Sequence, residues 1–315
     1  MDHASQPEML DSGPGGISAA AALLRAGRLV AVPTETVYGL AARADRDASV
    51  AAIYRAKGRP SFNPLIVHVA DLPSARALAQ FDARAEKLAE AFWPGALTMV
   101  LPLRTDAPIA AAVTAGLPTL ALRCPAHPVM RAVIAEAGVP LAAPSANRSG
   151  GVSPTDAAHV VASLGANVDA VIDGGACEAG LESTIVALRG DGGWQMLRPG
   201  PITEARIAAL LGMASAPVTT HEIEAPGQLA SHYAPGKPVR LGALAADGDE
   251  FHIGFGPVAG DITLSASADL AEAAARLYAA LHAGAAAPQP RIAVAPIPES
   301  EIGAAINDRL RRAAA

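Results

Sequence analysis

Short aliphatic segments alternate with alanine-rich segments of helical period along most of the chain, and this alternation restricts the possible folds more than any other feature. The segments with the length and β-branched content of strands are 29–32, 65–69, 97–101, 119–122, 170–172 and 184–188. The segments with helical periodicity are 17–26, 48–56, 83–92, 129–137 and 203–211. Strands that alternate with helices in this way are typical of an α/β domain.

The alternation stops after residue 211 and resumes after residue 237. Between these points the chain has several prolines and no sustained apolar period, which predicts a long connection. A second, smaller α/β unit is then predicted, with strands at 238–241, 250–254 and 291–295 and helices at 270–282 and 303–312. The expected organisation of the 315 residues is a domain at 1–211, a linker at 212–237 and a domain at 238–315.

The composition favours small-molecule chemistry over nucleic-acid binding. The chain carries 24 Lys and Arg against 30 Asp and Glu, a net charge of −6, and only 3% of its residues are aromatic. A nucleic-acid interface needs a broad positive surface or stacking platforms, and neither is evident. The first residues lack the basic and apolar regions of a signal peptide, and no segment has the ~18 apolar residues of a membrane span, so we expect a cytoplasmic protein.

The stretch KGRPSFNP, residues 57–64, concentrates cations in a chain that is net acidic. Gly58 allows close approach of the backbone, Lys57 provides a point charge, and Arg59 provides a planar fork that suits phosphate. The same cations could instead complement the dipole at the C-terminal end of a helix. Taken alone, the stretch leaves both interpretations open.

Three further segments carry polar groups at the ends of predicted strands. PTETVYGLAA, which begins at Pro33, offers hydroxyls, although a plain turn with capping threonines is an alternative. PLAAPSANRSGGVSPT, residues 140–155, contains no acidic residue and many donors, an arrangement that attracts anions. LESTIVALRG and WQMLRPGPIT place Ser183 and Arg198 at strand ends.

Motifs of several other enzyme classes are missing from the sequence. There is no G-x-x-x-x-G-K-[ST] loop, no G-x-G-x-x-G after the first strand, no nucleophile elbow and no HExxH motif. The two cysteines, Cys124 and Cys177, lack Cys-x-x-Cys spacing. The polar segments described above instead predict a site rich in hydroxyls and cations and poor in carboxylates. Such a site would bind a polyanion, and Mg²⁺ would arrive on phosphate groups rather than in a protein cage.

Taken in order, six segments resemble the YrdC-like domain of the L-threonylcarbamoyl-AMP synthase family: PTETVYGLAA, KGRPSFNPLIVHV, FWPGALTMVL, PSANRSGGVSPT, LESTIV and LRPGPIT. The resemblance continues through PGQLASHYAP in the linker to GAAINDRLRRAA near the last residue. It implies the long, two-domain form of that enzyme. The implied fold is a twisted mixed sheet with flanking helices and a central cationic cavity, followed by a linker and a smaller Rossmann-like α/β domain.

The resemblance implies that L-threonine, bicarbonate and ATP, with Mg²⁺, give L-threonylcarbamoyl-AMP and pyrophosphate. Downstream proteins would pass the threonylcarbamoyl group to the adenosine beside the anticodon in tRNA, and strong direct binding of tRNA is not expected. The carbamate of threonine would attack the α-phosphate of ATP. No general base is evident, so catalysis would rest on positioning and charge neutralisation.

The resemblance also assigns residues to the substrates. Those around threonine would be Thr36, His68, Arg123, the backbone at Ala143, and Ser183. Those in contact with ATP would be Lys57, Arg59, Asn63, Thr119, Ser145, Asn147, Ser153, Arg198, His232 and Tyr233. Lys57 and Arg59 would be the catalytic pair that stabilises the departing pyrophosphate, and no protein residue would bind the metal ion directly.

Alternatives remain for the linker and for the function. The HYAP segment would lie over the nucleotide as a flap that shields a labile product, whereas the plain alternative is a proline-stiffened spacer. A non-catalytic RNA-binding module is one rival function, which the net negative charge disfavours. A carbamoyltransferase domain of the same superfamily is another, and it should be accompanied by zinc-finger-like and acylphosphatase-like segments that this sequence lacks.

Overall fold

Two β-sheets organise the chain, and the computed structural model describes residues 6–217, 223–229 and 231–315. The strands of the larger sheet, in chain order, are β1 (Glu8–Asp11), β2 (Val30–Val32), β3 (Gly39–Arg43), β4 (Ile66–His68), β5 (Leu97–Pro102), β6 (Thr119–Arg123), β7 (Leu141–Ala142), β8 (Ala170–Asp173), β9 (Thr184–Leu188) and β10 (Trp194–Arg198). Their order across the sheet is β1-β8-β2-β3-β7-β4-β6-β5-β9-β10.

This sheet mixes parallel and antiparallel pairs. β4 runs parallel to β6, whereas β5 runs antiparallel to β6 and parallel to β9. β9 is a continuous apolar run that is buried over its whole length, and β5 is buried up to its last residue, as expected for strands covered on both faces. The covering helices are α1 (Pro14–Arg25), α2 (Asp47–Lys57), α3 (Leu72–Arg76), α4 (Ala83–Phe92), α5 (Ala111–Thr114), α6 (Pro128–Ala137), α7 (Ala157–Leu164) and α8 (Glu204–Leu211).

The end of α2 places the cationic stretch. The helix ends at Lys57, and Gly58 takes the left-handed conformation with a φ of 59°. A residue with a Cβ is strained in this conformation, so glycine suits the sharp turn that directs Arg59 away from the helix axis.

The smaller sheet belongs to a second unit near the end of the chain. Its strands are β11 (Val239–Leu241), β12 (Glu250–Gly254), β13 (Ile262–Thr263) and β14 (Arg291–Val294), all parallel in the order β11-β14-β12-β13. The helices α9 (Leu270–Ala286) and α10 (Gly303–Ala313) pack with it. α9 joins β13 to β14, and an all-parallel sheet packed with helices resembles the Rossmann-like arrangement.

The α/β fold class, with a mixed sheet followed by a smaller α/β unit, is confirmed. Four strands were not predicted, namely β1, β3, β7 and β13. β1 is mostly exposed at the sheet edge, and β3 consists of small residues, GLAAR, that the sequence suggested were part of a loop. Small residues can form a strand here because β3 pairs with β2 on one side and β7 on the other. The domain boundaries at 211 and 237 stay a prediction.

The linker contacts both units. The backbone N–H of Ala234 donates to Gly150 O over 2.8 Å, and the N–H of His232 donates to Arg312 O over 3.2 Å. The linker is therefore held between the glycine-rich loop of the first unit and α10 of the second. Residues 218–222 and 230 of the predicted linker lie outside the described residues. Among the helices that the structure describes, none has the length and apolar character needed to cross a bilayer.

Gly180 marks a point where the two units approach closely. A Cβ on Gly180 would lie 2.5 Å from Ala274 O and from Ala275 Cα on α9. Gly180 also has a φ of +65°, which costs a residue with a Cβ roughly 1–2 kcal/mol.

We therefore expect Gly180→Ala to destabilise docking of the second unit by more than backbone strain alone. The matched control is Gly192→Ala, which has a φ of +92° and open space around the new Cβ. The difference between the two variants should be about 1–3 kcal/mol, the usual cost of overpacking. Thermal unfolding and limited proteolysis of the linker measure it. Equal losses in both variants would show that the contact with α9 contributes nothing.

Candidate functional site

A cavity lies between the ends of the central strands of the large sheet and the linker. Its volume is about 40 Å³, which is room for a few water molecules. Ten of the residues predicted for the site line it: Thr36, Arg59, His68, Arg123, Ala143, Ser145, Ser183, Arg198, His232 and Tyr233. The structure thus brings together segments that are almost 200 positions apart in the sequence.

One half of the cavity is formed by the residues predicted to surround threonine. His68 and Arg123 are the last residues of β4 and β6, and the parallel register places them opposite each other. Ala143 lies beside them because its N–H donates to Ile66 O over 3.0 Å. The hydroxyl of Ser183 shares a 2.7 Å hydrogen bond with Thr98 Oγ1.

Arg123 is fixed by contacts on three of its nitrogens. Nη1 donates to Thr36 Oγ1 over 2.9 Å, Nε donates to Gly95 O over 3.2 Å, and Nη2 lies 2.6 Å from Glu35 Oε1. Burial alone would raise the pKa of Glu35, but the charge and the hydrogen bond of Arg123 outweigh burial and lower it. The guanidinium is therefore held in one orientation by an ionised carboxylate before any ligand arrives.

His68 faces the same half of the cavity as a neutral imidazole. Burial, and then the charge of Arg123, lower its pKa to about 3. Its Nδ1 is buried, and no residue in the described part of the chain forms a hydrogen bond with it. A neutral imidazole with an unsatisfied nitrogen is well suited to bind a hydroxyl or amine of a small polar ligand.

Arg59 and Arg198 lie in the other half of the cavity. Arg59 donates through Nη2 to Asn63 Oδ1 and Pro64 O, over 2.7 and 2.8 Å. Arg198 donates through Nε and Nη2 to Ser183 O, over 3.0 and 2.9 Å. Both arginines are almost completely buried, and burial, the main cause, lowers the pKa of Arg59 to about 10. Within residues 6–217, 223–229 and 231–315, no carboxylate is hydrogen-bonded to either cation, so this half favours an anion.

Lys57 lies behind the cavity wall rather than in it. Its ammonium donates to the carbonyl oxygens of Ser145 and Asn147, each over 2.5 Å. Burial, and then the charge of Arg59, lower the pKa of Lys57 well below its usual value. Asn147 in turn donates to the carbonyls of Arg148 and Gly151, over 2.8 Å each. Lys57 and Asn147 therefore shape the loop that presents Ser145.

Three other predicted residues also stand outside the cavity lining. Asn63 accepts a hydrogen bond from Arg59 and so orients it. Ser153 donates a hydrogen bond to the carboxylate of Glu182. Thr119 is half-buried at the start of β6, at the opposite end of that strand from Arg123. The β6 strand separates Thr119 from the cavity.

Two residues of the linker, His232 and Tyr233, complete the lining of the cavity. His232 and Tyr233 are buried, their rings meet edge to face with centroids 4.1 Å apart, and Tyr233 has a φ of 63°. The Tyr233 hydroxyl and His232 Nδ1 have no hydrogen-bond partner among the residues that the structure describes. Burial, the main cause, lowers the pKa of His232 to about 3. Like His68, both residues thus bring an unused polar group to the cavity lining.

Two carboxylates contradict the expectation of a carboxylate-poor site. Glu182 lines the cavity and Glu35 contacts Arg123. Glu182 is bound by Arg309 of α10, with Nε 2.8 Å from Oε2. The sequence carries one signal for Arg309, because it lies on the same helical face as the buried Ile306, Leu310 and Ala313. No group of three or more His, Cys, Asp or Glu that could hold a metal ion occurs among the described residues.

Comparisons with known proteins agree with this arrangement. The Sua5/YciO/YrdC family model, described as telomere recombination, matches residues 22–200, and a model described as the threonylcarbamoyl-AMP synthase C-terminal domain matches residues 202–315. A threonylcarbamoyl-AMP synthase from Bacillus subtilis is 46% identical over 230 residues, which are 71% of this chain and 66% of that relative. The chain thus matches just under two thirds of the length of this curated relative.

Two solved structures are similar over almost the whole chain. The crystal structure of Pyrococcus abyssi Sua5 complexed with L-threonine has a TM-score of 0.89 and 33% identity, and the match covers 98% of both chains. A variant of P. abyssi Sua5 with a histidine and the following tyrosine changed to alanine has a TM-score of 0.87 and 32% identity, covering 98% of this chain and 96% of that one. The only His-Tyr pair in the present sequence is His232-Tyr233.

The buried pair of Glu35 and Arg123 leads to a pH-dependent prediction. Because the pKa of Glu35 is lowered on folding, the pair contributes stability above the usual carboxyl pKa of about 4.3 and loses it as the pH falls further. We expect Glu35→Gln to destabilise the protein at pH 7 and to do so less near pH 3.5, where protonation of Glu35 begins to remove the same charge from wild type. Urea unfolding at the two pH values measures the difference.

The control for this prediction is Glu86→Gln, which breaks an exposed ion pair with Arg76. Exposed pairs contribute at most about 1 kcal/mol, so the control should change little. A loss in Glu35→Gln that is the same at both pH values would contradict the assignment of Glu35 as an ionised partner.

Proposed function

This chain belongs to the threonylcarbamoyl-AMP synthase family in its two-domain form, and we propose that it condenses L-threonine, bicarbonate and ATP to L-threonylcarbamoyl-AMP and pyrophosphate. The observation that carries the proposal is the division of one cavity into two chemically different halves. Hydroxyls, a neutral histidine and an oriented arginine face one half. Two arginines face the other half, and no carboxylate of the described part of the chain is hydrogen-bonded to them. A single amino acid and a polyphosphate match these two halves.

In the threonine half, Arg123 would bind the substrate carboxylate through the guanidinium protons that remain free. Thr36, Ser183 and His68 would bind the amine and the side-chain hydroxyl, and the backbone at Ala143 would complete the wall. In the nucleotide half, Arg59 and Arg198 would neutralise phosphate charge. Ser145, His232 and Tyr233 would supply polar contacts to ATP, while Asn63, Lys57, Asn147 and Ser153 would hold these groups in place. Thr119 stays a prediction from the sequence resemblance.

The proposed chemistry needs no covalent enzyme intermediate. The threonine amine combines with bicarbonate to give a carbamate and water. A carbamate oxygen then attacks the α-phosphorus of ATP, and the bond to the β-phosphate oxygen breaks to release pyrophosphate. Positioning of the two reactants and stabilisation of phosphate charge by Arg59 are the main contributions of the protein.

Mg²⁺ is part of the proposal as a companion of ATP. Both carboxylates near the cavity are engaged by arginines, so these residues do not form a protein cage for the ion. The ion would instead be bound by the phosphate oxygens and water. We also propose a cytoplasmic location and transfer of the product to downstream tRNA-modifying proteins.

The linker is proposed to act as a flap. A cavity of about 40 Å³ is far smaller than the ~300 Å³ or more of typical ligand sites, so ATP can enter only if His232 and Tyr233 move outwards. Return of the flap would exclude water from a hydrolytically labile adenylate.

The function is tested by incubating the protein with ATP, Mg²⁺, L-threonine and bicarbonate. We expect pyrophosphate release that requires both threonine and bicarbonate, and a product with the mass of threonylcarbamoyl-AMP. L-serine should replace threonine about 10–200-fold less efficiently, because a single methyl group contributes only this much discrimination. Pyrophosphate release that is independent of bicarbonate would reject the proposed reaction.

Arg59 is expected to contribute directly to ATP use. Hydrogen bonds to charged groups are worth about 1.5–3 kcal/mol, so Arg59→Ala should lower kcat/KM for ATP by roughly 10- to 100-fold. Arg55→Ala is the matched control, because Arg55 is exposed on the last turn of α2. Similar kinetics for the two variants would show that Arg59 does not contact the nucleotide.

A further inference from the structure

We propose that Arg309, in the last helix of the second unit, is a positioning residue that neutralises Glu182 and so makes the cavity able to bind an anion. The proposal deepens the function above and rests on it for the identity of the anion, ATP. It gives the second unit a defined contribution to a site whose other walls belong to the first unit and the linker.

The contacts of Arg309 reach three parts of the cavity wall. Nε lies 2.8 Å from Glu182 Oε2, Nη2 donates to Pro199 O over 3.0 Å, and the guanidinium carbon lies 5.3 Å from the centre of the Tyr233 ring. Glu182 precedes Ser183 and Pro199 follows Arg198 in the sequence. The fully buried side chain of Arg309 therefore contacts Glu182 and Tyr233, which line the cavity, and Pro199, which is next to the lining residue Arg198.

Glu182 is the residue that makes this contact matter for ligand binding. It lines the cavity, and its carboxylate also accepts hydrogen bonds from Ser153 Oγ and from the Tyr278 hydroxyl, over 2.5 and 2.8 Å. These hydroxyls satisfy the oxygens but bring no charge. Without Arg309, a negative charge would stand in the wall of a cavity that has to accept a triphosphate, where low polarity strengthens the repulsion.

Stability alone is a weak reason for this pair. A buried ion pair seldom stabilises a protein more than apolar residues of the same size, and Arg309 takes a position on the apolar face of α10. An apolar side chain at 309 with glutamine at 182 would fill the same space. Arg309 also pairs with Asp308, with Nη1 2.7 Å from Oδ2, but of these two carboxylates Glu182 is the one that lines the cavity. An ionised Glu182 beside an anion site gives the charge of Arg309 a use that packing alone does not. Burial would raise the pKa of Glu182, but Arg309 and Arg198 lower it to about 2.

The test compares Arg309→Met with the double variant Glu182→Gln/Arg309→Met. The probe is a non-hydrolysable ATP analogue whose Kd is measured by calorimetry between pH 6 and pH 8.5. At pH 8 we expect Arg309→Met to weaken binding by about tenfold or more, the size expected of a coupled charged pair. The loss should shrink towards pH 6 because Glu182, buried without its partner, takes up a proton. The double variant should bind within about threefold of wild type at every pH.

Arg311→Met is the matched control, because Arg311 lies on the same helix, is exposed and pairs only with Glu299. It should bind the analogue like wild type. An Arg309→Met variant with unchanged affinity would overturn the proposal. So would a loss that is independent of pH and is not restored in the double variant, since that pattern indicates a purely structural role.

A second measurement tests, without any ligand, whether Arg309 compensates the negative charge of Glu182. In Arg309→Met the folded pKa of Glu182 should be raised, so the protein should be least stable, relative to wild type, at high pH and recover as the pH falls. The double variant should show no such slope. Thermal unfolding from pH 5 to pH 8.5 measures this dependence. A stability difference between Arg309→Met and wild type that does not change with pH would reject compensation of Glu182 by Arg309.

The charged and titratable groups that face Glu182 besides Arg309 are Arg198, Tyr278, His232 and Tyr233.

The two measurements separate the proposals. If wild type bound no ATP analogue, the proposed function would fail, while the unfolding experiment would still decide whether Arg309 compensates Glu182. If wild type bound the analogue and Arg309→Met did so equally well, only the role of Arg309 would fail.

Discussion

The structure depends on burying cations around one small cavity. Lys57, Arg59, Arg123, Arg198 and Arg309 are each at most 8% exposed. A charge removed from water is costly unless other polar groups replace the water, and here carbonyl oxygens and the carboxylates of Glu35, Glu182 and Asp308 do so. The loops around the cavity therefore have to present carbonyls inwards, which explains why proline, glycine and serine dominate them. The local positive charge is compatible with a chain whose net charge is −6.

Much of this architecture could be predicted from the sequence, since strand-length apolar runs and helical periods are local signals. The pairing of β1 and β2 with β8 could not, because it joins residues about 140 to 160 positions apart and leaves no local pattern. β3 was missed for a related reason. Its small side chains carry little strand propensity, and its two neighbours supply the hydrogen bonds that define it.

The site residues likewise include some that the sequence predicted and some that it did not. His68 and Arg123 were identified through the family resemblance, and the parallel register of β4 and β6 places them opposite each other. The carboxylates were not, since the role of Glu182 depends on Arg309, 127 positions away. Lys57 illustrates a finer limit. The sequence indicates a cation near phosphate, whereas the structure directs the ammonium to two carbonyls of the neighbouring loop.

The backbone of Tyr233 adds an energetic aspect to the linker. A tyrosine at a φ of 63° is strained by roughly 1–2 kcal/mol relative to an extended conformation. Contacts with Gly150 on one side and Arg312 on the other hold the linker in this conformation. Part of the free energy needed to open the linker is therefore already present as backbone strain at Tyr233 in the closed conformation. An opening motion that moves Tyr233 to a negative φ would release this strain energy, so the closed protein stands closer to opening than its close packing suggests.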